Sequence, residues 1–189
     1  MPLNGFALIP ARGGSKGIKD KNLQEINGTS LVGLTVLQAI NAGFKRVIVL
    51  SDENRIKDEA KKYGADISFD RPAKISGDKT HMFEVYRWLL LEIKKKERNV
   101  PDFFCTMLCT TPFRKIEHVK KAKNILESGD YDWVLSVNEF EHHPYRAMTI
   151  NTENLLTPTY DIPEQLIWAN RQELPVFYRF NGGIIAGLS

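Results

Sequence analysis

The sequence is short of most features that would mark a specialised class. It contains 2 cysteines, Cys105 and Cys109, in 189 residues. That is too few for a disulfide framework, and no second Cys or His pair at zinc spacing accompanies them. Both lie in or beside an apolar run, which fits reduced, buried thiols. No apolar run is long enough to cross a bilayer, so no membrane partner is expected. The start, Met1-Pro2-Leu3-Asn4, lacks the charged opening and apolar stretch of a signal peptide, and a cytoplasmic setting is expected. Positive charge is also scarce as a cluster: the net charge is +3, with Lys and Arg spread along the chain. A nucleic-acid surface would normally gather them into a stripe, so no nucleic-acid partner is expected. Small anionic ligands fit this balance better. Internal repeats, low-complexity stretches and linkers are missing as well.

What is present reads as an ordinary globular chain, 42% hydrophobic and 26% charged. Short apolar runs alternate with helical periodicity. Phe6-Ala7-Leu8-Ile9 predicts a first strand, and Leu31 to Ala42 a helix apolar nearly all round. Val47 to Leu50 predicts a second strand. Ser51 or Asp52 then caps a helix with Ile56, Ala60 and Tyr63 inside and Gly64 as its stop. Ile67-Ser68-Phe69 predicts a short third strand, and Lys79 to Lys95 a long helix on a Met82, Tyr86, Leu89 and Ile93 stripe. Phe103 to Leu108 and Trp133 to Val137 predict further strands, with a helix between them on Ile116, Val119, Ala122 and Leu126. Trp88 and Trp133 read as core. Unbroken apolar strands separated by helices imply a Rossmann-like α/β fold, a mostly parallel sheet with helices on both faces. Residues 138–180 break the rhythm with polar residues, Pro and aromatics, and predict an inserted arm on a single domain spanning 1–189. Gly183 to Gly187 predicts a return to the core. An apolar run so near Ser189 suggests a C-terminally truncated domain.

The strongest local signal is Pro10-Ala11-Arg12-Gly13-Gly14-Ser15-Lys16-Gly17, directly after the first strand. In a doubly wound sheet, ligands bind outside the carboxyl ends of the strands. Paired glycines let backbone N–H groups turn toward an anion. Arg12 adds a planar fork and Lys16 a point charge, a combination suited to a triphosphate. Neither the Walker order Gly-x-x-x-x-Gly-Lys-Ser/Thr nor the dinucleotide order Gly-x-Gly-x-x-Gly is present.

Ala11 to Gly17, followed by Lys21-Asn22, resembles the opening signature of the CMP-N-acetylneuraminate (CMP-sialic acid) synthetases. Further blocks agree in order: Ser51-Asp52; Arg71-Pro72-Ala73 with Asp78 downstream; Thr110-Thr111-Pro112-Phe113-Arg114; Glu141-His142-His143-Pro144; Arg171 to Pro175; and Asn181-Gly182. The resemblance implies the nucleotide-diphospho-sugar transferase type of fold and transfer of CMP from CTP to a sialic-acid-type sugar acid. It implies that Ala11, Arg12, Gly13, Gly14, Ser15 and Lys16 hold the triphosphate, with Lys21 and Asn22 placing phosphate and cytidine. Arg71 would read the cytosine carbonyl, and Asp78 would belong to the same site. Arg171 would meet the sugar carboxylate or the transferring phosphate. Arg146, Gln172 and Asn181 would serve the sugar acid, and the arm would support a homodimer.

The chain departs from the family pattern at Leu108, Gly77 and Ile185, where polar or aromatic residues are usual, so the particular sugar acid stays open, a legionaminic-type acid included. The resemblance also implies Mg²⁺, with its carboxylate ligands expected beyond Ser189. Asp52 and Asp78 stand as alternative ligands, each more readily read as a helix cap or loop residue. His142 and His143 read as packing or hydrogen-bonding groups, and His81 and His118 as surface residues. Two rivals remain at this point: a nucleotidyltransferase for another acidic sugar, and a non-catalytic nucleotide-binding module.

Overall fold

The strand that precedes the glycine turn sits inside the sheet and fixes everything around it. A computed structural model describes residues 3–97 and 99–189. β1 (Gly5–Pro10) leads through the glycine turn to a hairpin of β2 (Glu25–Ile26) and β3 (Thr29–Ser30). Asn27 and Gly28 close that hairpin at φ 50 and 75, the left-handed pair that a tight two-residue turn requires. The main scaffold follows as α1 (Leu31–Asn41), β4 (Val47–Leu50), α2 (Asn54–Lys62), α3 (Met82–Glu97), β5 (Phe103–Thr106) and α4 (Ile116–Glu127). The rest is β6 (Trp133–Glu139), β7 (Met148–Ile150), β8 (Leu156–Pro158), α5 (Glu164–Trp168) and β9 (Tyr178–Leu188).

The central sheet has the order β4-β1-β5-β9-β6. β1 pairs in parallel with both β4 and β5, and β9 runs antiparallel to β5. Alternation along each strand divides the core between the two faces. Ala7, Ile9, Val47, Val49, Phe103 and Cys105 pack with α1, α2 and α4. Phe6, Leu8, Ile48, Leu50 and Phe104 pack with α3 through Val85, Leu89 and Ile93. Helices therefore cover both faces, as the strand pattern predicts. Each large side chain fully buried here, such as Leu8 or Leu89, contributes about 1.5–3 kcal/mol.

Several local expectations are corrected. Ile67-Ser68-Phe69 forms no strand; the neighbouring Asp66 and Asp70 make isolated parallel bridges to Ile48 and Ser51, and Phe69 alone of the three is buried. Asp66 Oδ1 accepts the Ser68 N–H, which turns the chain off the ladder. The helix expected from Lys79 starts at Met82, because the Thr80 N–H closes a turn on the Gly77 carbonyl. The cap of α2 is Glu53, without a side-chain hydrogen bond, rather than Ser51 or Asp52. α1 is not apolar-buried all round, since Leu37 and Ile40 face outward. Trp133, read as core, lies on the outermost strand and is 42% exposed, its ring edge against Phe104.

The chain divides into two compact units, one of residues up to Ser136 together with Gly182–Ser189, the other Val137–Asn181. The second holds the β7–β8 hairpin, paired from Met148 opposite Pro158 to Ile150 opposite Leu156, and the short α5. An Asn170–Glu173 capping box closes the turn at Arg171–Glu173.

Candidate active site: a cationic cleft at the strand ends

The carboxyl end of β1 carries the glycine turn into a cleft of about 390 Å³ in the first unit. Ala11 is fully buried and its N–H donates to the Leu50 carbonyl at 3.0 Å, extending the parallel pairing by one residue. The chain then leaves the sheet. Gly14 has φ +64, a conformation in which a side chain is strained. Gly13 is crowded by a side chain instead: a Cβ there would lie 2.5 Å from Glu53 Oε2, and the Glu53 side chain would have to swing aside. The Gly13 N–H donates to Asp52 Oδ1 at 2.8 Å, which is the role that takes Asp52 away from helix capping. Buried Asn22 steadies the turn by donating from Nδ2 to the Arg12 carbonyl at 2.9 Å.

Arg12, Ser15, Lys16, Lys21, Asn22, Arg71 and Asp78 all line this one cleft. Asp78 lies between the two cations of the turn. Its Oδ1 accepts from Arg12 Nη2 at 2.5 Å and its Oδ2 meets Lys16 Nζ at 2.5 Å. Lys16 first, then Arg12, holds the Asp78 carboxyl below the usual carboxylate range. Arg71 is 7% exposed, and its Nε and Nη2 both donate to the Ile75 carbonyl, at 2.9 and 2.6 Å. Among the described residues no carboxylate lies within ion-pair distance of it. Burial pulls its pKa down, and the neighbouring Arg12 acts in the same direction against the pull of Asp52. A buried cation satisfied only by a carbonyl is primed for an acceptor-rich ligand.

Pro10, Met82, Leu108, Cys109 and Thr110 complete the lining of the cleft, Leu108 being one of the positions where the chain departs from the family pattern. The Leu108 segment of that lining is held by Arg114, which is buried. Its Nε donates to the Gly183 carbonyl at 2.6 Å, its Nη2 to the Leu108 carbonyl at 2.7 Å, and its Nη1 to Gln38 Oε1 at 2.9 Å. Gln38 in turn donates to the Pro112 carbonyl at 2.6 Å. The partners are up to 76 residues apart in sequence, so only the Thr-Thr-Pro-Phe-Arg block hinted at this network. Burial pushes the Cys105 thiol up to about 12 and the Cys109 thiol to about 11, which excludes a thiolate nucleophile at neutral pH.

In the second unit, Arg146 and Arg171 line a bowl of about 300 Å³ with His142, His143, Glu139 and Glu141. Arg146 Nη2 donates to the Ala169 carbonyl at 2.5 Å. His143 Nδ1 accepts the Tyr145 N–H at 3.2 Å, so Nε2 carries the proton toward the Pro175 carbonyl at 3.0 Å. Its ring meets Tyr145 and Phe177 edge-on, which is a packing role. Asn181 Nδ2 donates to Asn138 Oδ1, and Gln172 is exposed in the turn beside Arg171. His81 and His118 are exposed.

Residues 6–183 match the model of the cytidylyltransferase family. The chain belongs to that family. This cytidylyltransferase is 29% identical to the pseudaminic acid cytidylyltransferase of Campylobacter jejuni over 188 residues, covering 99% of this chain and 79% of that one. It is 28% identical to an N-acylneuraminate cytidylyltransferase of Streptococcus agalactiae, covering 95% of this chain and 42% of the relative. Among solved structures it superposes on CMP:2-keto-3-deoxy-manno-octonic acid synthetase, determined as a CTP complex. There the TM-score is 0.66 at 17% identity, over 97% of this chain and 73% of that one. The chain is therefore a nucleotidyltransferase with that enzyme's type of fold, as the resemblance implies. Among the described residues of this cytidylyltransferase, no group of three or more His, Cys, Asp or Glu is placed to hold a metal ion. Asp52 and Asp78 are engaged with Gly13 and with Arg12 and Lys16, so they do not form a cage. No helix among those residues is long and apolar enough to cross a membrane.

Proposed function

We propose that this cytidylyltransferase transfers CMP from CTP to a sialic-acid-type nonulosonic acid and releases pyrophosphate. The observation that carries the reading is the convergence of Arg12 and Lys16 on one anion position at the end of β1, each 2.5 Å from an oxygen of Asp78. A phosphate bridging the same pair would receive two charge-assisted bonds. Ala11, Gly13, Gly14 and Ser15 shape the turn, and Lys21 and Asn22 flank it. Arg71 faces the pyrimidine carbonyl. Arg146 and Arg171 take the sugar carboxylate, with Gln172 and Asn181 on the sugar side. The sugar's anomeric 2-hydroxyl oxygen attacks the α-phosphorus, the bond from that phosphorus to its bridging oxygen breaks, and pyrophosphate carries the electron pair away. Positioning and electrostatics supply the acceleration, without a covalent intermediate on the protein. Mg²⁺ belongs to this reading as a component of the assay; no step is assigned to it on these residues. The two free, buried cysteines accord with a cytoplasmic setting.

The test is pyrophosphate release from CTP, Mg²⁺ and a panel of N-acetylneuraminic, legionaminic-type and pseudaminic acids. Equal turnover of ATP or GTP would remove the cytidine reading; a different preferred acid would move the assignment within the family. CTP binding with no product from any acid would favour a non-catalytic module.

The second unit, the 138–180 arm, is read as the dimerisation lobe. Its outward side chains include Ile150, Leu155, Leu156, Tyr160 and Trp168, an apolar set suited to being covered by a partner. A second copy of the chain is the proposed occupant. Ile150→Lys with Leu156→Lys would shift the mass measured by light scattering from dimer to monomer; an unchanged mass would exclude this face.

A further inference from the structure

We infer that Asp78 is a positioning residue that acts as a built-in counter-ion: it keeps Arg12 and Lys16 aimed at the phosphate position in the empty site and is displaced when phosphates arrive. The inference rests on the phosphate role proposed above for Arg12 and Lys16. Its two carboxylate oxygens divide between the two cations, Oδ1 on Arg12 Nη2 and Oδ2 on Lys16 Nζ, both at 2.5 Å. Two oxygens of one phosphate group would occupy the same places. Asp78 cannot share them, since an anion brought against its carboxylate would be repelled.

Displacement is mechanically cheap. The Asp78 side chain is 42% exposed. The residue before it is Gly77, where even an added Cβ would find nothing closer than 3.7 Å. Asp78 follows the short helical turn Ala73–Ile75 and precedes α3 at Met82, so it lies on a connecting loop. Each of its ion pairs is of the exposed kind, individually weak. Tethering still gives the carboxylate a high local concentration at the two cations. A second observation points the same way: the Gly13 N–H of the same turn also donates to a carboxylate of the chain, Asp52 at 2.8 Å. The turn's cations and its Gly13 N–H are thus met by carboxylates of the chain itself.

The consequence is uniform. Every ligand that reaches Arg12 and Lys16 meets the same competitor, so CTP and pyrophosphate lose the same factor in affinity, while cytidine, which has no phosphate, loses nothing. After transfer, return of the carboxylate helps to expel pyrophosphate.

The experiment measures binding to the full chain by calorimetry, in EDTA so that no divalent cation contributes. Wild type is compared with Asp78→Asn, which keeps shape and removes charge. Asp78→Ser serves as a second variant, and a thermal melt confirms folding. We expect pyrophosphate and CTP to bind roughly tenfold more tightly to both variants, by the same factor, with cytidine unmoved. Pyrophosphate should inhibit turnover of the variants correspondingly more strongly. Unchanged or weakened pyrophosphate binding in the variants, with CTP binding to wild type intact, would overturn the inference alone. Failure of wild type to bind CTP would instead bring down the functional reading beneath it.

Discussion

The two units of this chain build their candidate sites in opposite ways. The first buries its sheet between two layers of helices and sinks Arg71, which lines its cleft, and Arg114, which braces it, to 7% exposed each, while the Arg12 side chain stays 35% exposed. The second buries only Ile167 and Leu174 among its hydrophobic residues, and Arg171 stands exposed on a short helical turn. A guanidinium fixed by burial offers one geometry and has little entropy left to lose on binding. An exposed one must be ordered by its ligand. Within the function proposed above, the contrast suits a division of labour in which buried Arg71 presents a fixed fork to the nucleotide and exposed Arg171 is ordered by the sugar acid.

The largest effect that sharpens this comparison should come from Arg71→Ala. It removes a buried fork and leaves the Ile75 carbonyl without its donor. Charge-assisted bonds contribute about 1.5–3 kcal/mol each, so we expect kcat/KM for CTP to fall about 100-fold. The KM for the sugar acid should hold. Steady-state kinetics at varied CTP and varied acid checks this; an equal loss on both substrates would dissolve the division.

Arg171→Ala should act in the reverse sense and more weakly. An exposed arginine facing a carboxylate gives a smaller, better-screened contribution, so the KM for the sugar acid should rise roughly tenfold. CTP binding by calorimetry should be unmoved. A CTP affinity that falls with Arg171 would place it on the nucleotide.

The same contrast decides what could be read from the sequence. The scaffold was legible because β1, β4 and β5 are unbroken apolar runs and the helices between them repeat at helical spacing. The glycine turn was legible because its cations are adjacent in sequence. Asp52 was misread because its partner, Gly13, is 39 residues away, and a local pattern offers only a helix cap for an acidic residue before a helix. Arg114 was legible only as the end of a family block and its link to Gln38 was not legible, because a buried cation closed by carbonyls leaves no charge complement in the sequence. Ile67-Ser68-Phe69 failed as a strand because two apolar residues around a serine could not outweigh Asp66 turning the backbone. In the second unit, polar turns without a core carry no periodicity, so its site residues came from family resemblance alone.

The smallest effect concerns acid. Every ion pair among the described residues falls in the first unit, and Arg46 makes the one that ties Asp66 beside β4 to Glu97 at the end of α3. The hydrogen bond from Arg46 holds the Glu97 carboxyl below its ordinary value. For Asp66, burial pushes upward, but bonds from Ser68 and Arg46 outweigh it and the carboxyl is also lowered. A carboxylate whose folded pKa is depressed contributes stability that is fully present above its unfolded pKa and is lost as pH falls through the folded one. The contribution should therefore stand at pH 7 and fade below about pH 4. Arg46 is 29% exposed, so about 1 kcal/mol is the expected size. Arg46→Met should lower Tm by a few degrees at neutral pH and match wild type near pH 2.5 in calorimetric scans. A deficit that persisted undiminished into acid would mean that Arg46 stabilises the first unit through its guanidinium over the Phe69 ring, 5.7 Å from the centroid, rather than through its ion pairs.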